Sequence, residues 1–349
     1  MKNLIKKTVM ISFVLIMLLS LAACGGEKKV TINVYNWGDY IDESVIGEFE
    51  EKYGINVNYE VYDTNEAMYQ KIKPGAVKYD VAIPSDYMIS KMIKEDMLHK
   101  IDFNNIPNYK YIDDNFKDLE YDPTNEYSVP YMWGTVGILY NRTMVKEPVE
   151  SWDILWDEKY KKQILMQDSQ RETIGVALQK LRYSLNTRKL EELEEAKLEL
   201  IKQKPLVLAY VVDEVKDKMI SGEAALAVVW AGDAVTMMEA NPDLDYAVPK
   251  EGSNFFVDGM VIPKISKHKK EAELFINFMC ETEIALKNTS YIGYSTPHTE
   301  AKKMLDKEVA NNPVAYPSDE VLKSCEVYRD LEDMIKVYDR IWTEVKAAK

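Results

Sequence analysis

Val34-Tyr35-Asn36-Trp37-Gly38-Asp39-Tyr40 is the stretch from which the fold of this chain is read. Val30, Ile32 and Val34 alternate with Thr31 and Asn33, the period of a half-buried strand. Downstream, Asp42 is placed to cap a helix carrying Val45, Ile46 and Phe49 on one face and closed by Gly54. Trp37, Asp39 and Tyr40 therefore fall on a loop at the carboxyl end of a strand, where open α/β sheets bind ligands. A carboxylate between two aromatic rings suits an organic cation, because the rings give π faces and apolar walls while the acid gives charge. Taken alone, the same seven residues also describe a surface loop with a packed tryptophan.

The motif recurs outward from there. Ile55 to Val61 alternates as a second strand, and Glu66 to Lys73 reads as a short helix stopped by Pro74-Gly75. Tyr79 to Ile83 is an apolar strand whose exit, Pro84-Ser85-Asp86-Tyr87, brings a hydroxyl and a ring, with Asp86 placed to cap the next helix. From Tyr127 to Asn141 the chain is apolar and extended, and Gly134 and Gly137 are placed to take up a bend where it crosses between domains. Gln163 to Gln167 is a strand that exits through Asp168-Ser169-Gln170-Arg171-Glu172 into a helix. Capping by Asp168 or Ser169, and a dipole contact by Glu172, are the structural roles open to those residues.

Ala224 to Trp230 is again a buried strand ending in tryptophan, with Asp233 three residues on. Two strands about two hundred residues apart thus end in a tryptophan followed by an acid. In Phe255-Phe256-Val257-Asp258-Gly259-Met260-Val261, one acid sits inside an apolar run, and burial there requires a cation or a hydrogen-bond cage. The run supplies no lysine or arginine. A helix from about Ser324 to Lys346 closes the chain. Alternation of helical and strand patterns from end to end gives an α/β fold with largely parallel sheets.

The first residues stand apart. Lys2, Lys6 and Lys7 precede an apolar run from Val9 to Leu21, too short for a comfortable membrane span, and Leu21-Ala22-Ala23-Cys24 follows. This pattern resembles the lipobox of bacterial lipoproteins, which implies lipid attachment at Cys24, cleavage before it, and an anchor with no spanning helix. Residues 1–23 are then a signal peptide and 24–29 a linker, leaving about 325 residues, enough for two domains. Loss of the three leader lysines takes the formal charge from −14 to −17. Such an excess disfavours nucleic acid and anionic lipid and favours cations. Cys280 reads as a buried small hydrophobe, and a Cys280–Cys325 disulfide is not expected. His99, His268 and His298 read as isolated surface residues, so no metal site is expected.

Tyr35-Asn-Trp37-Gly-Asp39-Tyr40, Ile83-Pro-Ser85-Asp-Tyr87, Tyr131-Met-Trp133-Gly134, Arg171-Glu172, Trp230-Ala-Gly-Asp233, Phe256-Val-Asp258 and Ile292-Gly-Tyr294-Ser-Thr-Pro297 together resemble the spermidine/putrescine-binding proteins of bacterial ABC importers. The resemblance runs from Val30 to the C-terminus. It implies a two-lobe periplasmic-binding-protein clamshell (type II), each lobe a mixed, mostly parallel sheet flanked by helices. Residues 30–134 plus 258–302 would form one lobe and 135–257 plus 303–349 the other, with crossings near 134, 258 and 303. It further implies a polyamine ligand, an ABC permease as partner, a monomeric extracytoplasmic protein, no cofactor and no enzymatic activity. Trp37, Tyr40, Trp230, Phe256 and Tyr294 match positions that box the methylene chain. Asp258 and Glu172 match carboxylates that take ammonium ends, and Ser85 and Tyr87 match polar contacts. Asp39, Asp233 and Phe256 resemble putrescine-type members, whereas Tyr87 and Gly293 to Pro297 resemble the spermidine type. Asp168 or Ser169 stands where the latter often has an acid, and Tyr328 replaces a ligand-contacting glutamine.

Other functions compete. The same fold serves thiamine, iron or sugar binding, but the Tyr/His/Asp clusters that suit iron and the Asn/Gln and Arg strand ends that suit sugar are not evident. A binding lipoprotein for another small cationic solute, or a polyamine sensor, shares every feature named above. An exported hydrolase would use Glu172, Asp168 or Asp258 as paired carboxylates, or Ser85 as a nucleophile. Ser85 lacks a G-x-S-x-G setting and no histidine follows a strand end.

Overall fold

β4, Ser128–Asn141, is one strand of 14 residues that belongs to both halves of the molecule in the computed structural model, which describes residues 29–348. Every β4 residue except Tyr140 is buried, as expected of a strand covered on both faces. Its first half, from Ser128 to Thr135, pairs antiparallel with β9 (Phe255–Val261). Its second half, from Val136 to Asn141, pairs antiparallel with β7 (Leu226–Trp230) and β8 (Leu244–Ala247).

On the first side, β1 (Thr31–Trp37) lies parallel between β2 (Asn56–Tyr62) and β3 (Val81–Ala82), and β3 meets β9 antiparallel. On the second, β5 (Ile164–Gln167) runs parallel to both β6 (Val207–Val211) and β7. The resulting order is β2-β1-β3-β9-β4-β7-β5-β6, with β8 on the flank of β4. The expected mixed sheets flanked by helices are present, but they are not mostly parallel: β4 and β9 run against their neighbours, so the pairings among the described residues are four parallel and four antiparallel.

Alternation in β1 sends Ile32 and Val34 into a core with Val45 and Phe49 of helix Ser44–Tyr53 and Phe275 and Phe278 of the region around helix Lys269–Met279. Tyr35, pointing the other way, stacks on Tyr79 at 4.3 Å between ring centres. On the second side, helix Gln170–Lys180 is wedged against helices Leu190–Gln203 and Ile335–Ala347 through Ile174, Leu178, Leu193, Leu200, Tyr338 and Ile341.

Four further expectations require correction. Gly134 and Gly137 provide room more than a bend: a Cβ on Gly137 would stand 2.4 Å from the Tyr246 ring of β8. Asp86 opens helix Asp86–Lys94 from inside its first turn; Ser85 holds the cap position, and the fully buried Asp86 carboxylate accepts from the backbone amides of Tyr87 and Val257. His298 is buried, where its Nδ1 accepts from the Ala301 amide at 3.1 Å, its Nε2 faces the Cys280 carbonyl and its ring stacks on Tyr111. The final helix begins at Ile335 because the preceding residues extend, with Glu326 bonding Ser253 and Phe255 through its backbone and Tyr328 buried.

Cys280 is buried and, like Cys325, is a free thiol. Cys24 and the leader lie outside the described residues. Among those described, no helix is long and apolar enough to cross a membrane.

Candidate functional site

Strand ends from both sides of β4 converge on one cavity of about 760 Å³, counted out to its open mouth. β1 contributes Trp37, β7 contributes Trp230, and β9 contributes Phe256 and Asp258. The cap and first turn of helix Asp86–Lys94 add Ser85 and Tyr87, and the first turn of helix Gln170–Lys180 adds Glu172.

Aromatic rings form the walls. Trp37 and Trp230 approach to 6.4 Å between ring centres, bringing together the two strand-end tryptophans that lie far apart in sequence. Trp37 is fixed by Nε1 donating to the Ile83 carbonyl at 2.9 Å and by contact with the Tyr62 ring at 4.6 Å. Tyr40 meets Tyr294 edge-to-face at 4.7 Å, and Phe256 lies 6.3 Å from Tyr294. Gly232 makes the Tyr294 position possible, since a Cβ there would fall 2.0 Å from the Tyr294 ring.

The charge on the lining has one sign. Asp63, Glu66, Asp86, Glu172, Asp213, Asp233 and Asp258 line the cavity, and among the described residues no lysine or arginine does. Among these, Asp258 is set apart by its bonding. Tyr40 donates its hydroxyl to Asp258 Oδ2 at 2.7 Å, while Oδ1 has no protein partner. Three buried acids elsewhere are differently provided, although Glu251, outside the cavity, also has an oxygen without a partner. Asp80 accepts from the Asn33 amide and Ser266, and Asp122 from the amides of residues 126–128. Glu273 accepts on both oxygens, from the Asp102 amide, Lys269 and Asn105.

Burial pushes the Asp258 carboxyl up to about 6, against the opposing pull of the nearby Ser85 and Tyr40 hydroxyls. Burial likewise pushes Glu172 up to about 7, opposed by Tyr328, by the charge of Arg171 and by Trp230. Arg171 itself stands behind the wall, its guanidinium 4.7 Å from the Tyr87 ring and 4.2 Å from the Tyr328 ring, with Nη1 donating to the Arg329 carbonyl. Burial also raises Asp233, against the pull of Lys216. A cavity that holds several carboxylates above their ordinary range is poised to gain from a cation.

Of the residues singled out in the sequence, Trp37, Tyr40, Ser85, Tyr87, Glu172, Trp230, Asp233, Phe256, Asp258 and Tyr294 are brought together here. Asp39 and Asp168 are not. Asp39 sits in a left-handed turn (φ 46°) with its side chain largely exposed and paired to Lys216 at 3.0 Å. Asp168 pairs with Lys346 of the final helix at 2.9 Å.

The structure adds Tyr62, Asp63, Asn65, Glu66 and Asp213 to the lining. Asn65 and Ser85 exchange hydrogen bonds at 3.0 and 3.1 Å, and Tyr87 donates to Glu66 at 3.0 Å. These residues follow the ends of β2 and β6, so the strand-exit rule, extended to those two strands, reaches them. Tyr328, also on the lining, shares its hydroxyl proton between the Arg171 carbonyl at 2.8 Å and Glu172 at 3.2 Å.

Residues 44–317 match the family of bacterial extracellular solute-binding proteins. The spermidine/putrescine-binding periplasmic protein of Escherichia coli (strain K12) is 36% identical over 335 residues, covering 95% of this chain and 96% of its own. The substrate-binding protein PotD of a spermidine/putrescine ABC transporter from Streptococcus pneumoniae has a solved structure with a TM-score of 0.78 and 44% identity, covering 91% of this chain and 99% of its own. The Tp0655 (TpPotD) lipoprotein of Treponema pallidum gives a TM-score of 0.81 at 30% identity, covering 90% and 99%.

Proposed function

The chain belongs to the bacterial extracellular solute-binding protein family, and from that premise we propose that it binds a polyamine, putrescine or spermidine, between its two sheets and delivers it to an ABC importer. Its fold is the two-lobed α/β clamshell of type II periplasmic binding proteins, and it acts outside the cytoplasm. It is a carrier with no catalytic step of its own.

The observation that carries this reading is Asp258: a buried carboxylate with one oxygen free, inside an all-acidic cavity walled by rings. A ligand ammonium supplies the missing donor and the missing charge together. Methylenes buried against Trp37, Trp230, Phe256 and Tyr294 contribute about 0.8 kcal/mol each, and an ammonium over a ring adds ~0.5–2 kcal/mol. Glu172 takes a second ammonium, and Ser85 and Tyr87 complete the polar contacts. Micromolar binding requires about −8 kcal/mol, which these contributions supply after their costs.

Division into residues 30–134 with 258–302 against 135–257 with 303–349 is part of the proposal, supported by β4 running through both sheets. Ligand bridging the lobes favours the closed state, and that state docks on the permease. The protein is anchored through lipid at Cys24 and acts as a monomer; the lipoprotein relative from Treponema pallidum supports the anchor. Titration calorimetry with putrescine, cadaverine, spermidine and spermine tests the function. Saturable binding of at least one at micromolar concentration is expected, and no heat from any of them would overturn it.

A further inference from the structure

At one edge of the cavity the chain supplies an ammonium of its own. Lys216, on the short helix Val215–Ile220, reaches Asp39 Oδ2 at 3.0 Å and Asp233 Oδ1 at 3.3 Å. Asp213, on the cavity lining with Asp233, also acts on it through its charge. The Lys216 side chain is only 20% exposed, and Asp233 is buried. Asp39 belongs to the exit of β1, whereas Lys216 and Asp233 belong to the exits of β6 and β7. One primary ammonium therefore ties the two sides of the cleft together through carboxylates.

That is the chemistry by which the end of a polyamine would tie them. A lysine side chain is a four-carbon aliphatic stem ending in an ammonium, close in kind to half of such a ligand. Resting on the polyamine reading, we infer that Lys216 is a built-in occupant of the Asp39–Asp213–Asp233 corner and bars a ligand ammonium from it. With Lys216 in place, the free oxygen of Asp258 and the Glu172 carboxylate remain for a diamine. A third ligand ammonium has to displace Lys216 to reach an acid at this edge. Lys216 thus discriminates against the longer ligand by occupying its subsite, a case of specificity built by exclusion.

The test compares Lys216→Met, which keeps the stem and removes the charge, with Lys216→Arg, which keeps the charge. Putrescine and spermidine dissociation constants are measured for both variants and the unaltered protein near 1 M salt, where screening falls to about 3 Å and the general attraction of one charge for another is suppressed. Lys216→Met should shift the ratio of the two constants towards spermidine by roughly tenfold, the worth of one added charge-assisted hydrogen bond. Lys216→Arg should leave the ratio near that of the unaltered protein. An unchanged ratio in Lys216→Met, or an equal shift in both variants, overturns the inference while leaving polyamine binding intact. If the unaltered protein binds neither amine, the polyamine reading falls, and this inference falls with it.

Discussion

Replacing Asp258 by asparagine should destroy ligand binding and at the same time make the empty protein more stable. The carboxyl sits at about 6 in the folded protein against an ordinary aspartate value of 3.8. Folding therefore favours its protonated form, and holding the charge at neutral pH costs stability. From these two values the cost is about 3 kcal/mol at pH 7.5 and falls below about 1 kcal/mol at pH 4, because the penalty fades as pH drops through the folded-state value. Asparagine carries no charge, keeps nearly the same shape, and offers an oxygen to the Tyr40 hydroxyl that now donates at 2.7 Å. Thermal unfolding of the empty Asp258→Asn protein should accordingly rise by roughly 5 °C at pH 7.5, with the gain shrinking towards zero by pH 4. In the complex the same change removes the partner of a desolvated ammonium, worth about 3–5 kcal/mol, so the dissociation constant should rise by two orders of magnitude or more. Scanning calorimetry across pH and titration calorimetry at pH 7.5 read the two effects. A lower melting temperature at pH 7.5 would refute the reasoning, since it would put Asp258 among caged acids such as Asp122.

Acidification should weaken binding to the unaltered protein, because Glu172 at about 7 and Asp258 at about 6 must lose protons to receive ammoniums that stay charged throughout. Between pH 8 and pH 5.5 the loss should be on the order of 100-fold, and a flat pH profile of the dissociation constant would contradict it. Trp37→Ala and Trp230→Ala should each weaken binding by roughly 1.5–3 kcal/mol and diminish the ligand-induced change in tryptophan fluorescence; unaltered titrations would remove the aromatic box from the account. Gly232→Ala puts a methyl where the Tyr294 ring lies, and such overpacking costs about 1–3 kcal/mol. Its expected readout is a dissociation constant raised about tenfold, checked by the same titration, while an unaffected constant would show that Tyr294 does not contact ligand.

Most of the architecture was legible because it follows from local rules. Alternation located β1, and Gly54, found at φ 68°, marks the end of the first helix. The strand-exit rule gathered Trp37, Tyr40, Ser85, Tyr87, Glu172, Trp230 and Asp233 from distant parts of the chain, the apolar run around it marked Asp258, and the family resemblance supplied Phe256 and Tyr294. The exit rule identifies a loop, however, and not the direction in which each side chain on that loop points. A left-handed turn at Asp39 swings that carboxylate outward to Lys216, and Asp168 is drawn off by Lys346 from the opposite end of the sequence. Long-range partners also account for the other departures. His298 became internal through contacts with Cys280 and Tyr111, and the chain around Glu326 gave up helix to pair with Ser253 and Phe255. None of these pairings leaves a periodic trace in the residues on either side.

The central claim is that the free oxygen of Asp258 awaits an ammonium, and a crystal structure of the protein with bound putrescine tests it most directly. An ammonium is expected within hydrogen-bond distance of Asp258 Oδ1, with the carbon chain lying between the Trp37 and Trp230 rings. Electron density for the diamine elsewhere, or a lysine or arginine of the protein itself against Asp258 Oδ1, would contradict it.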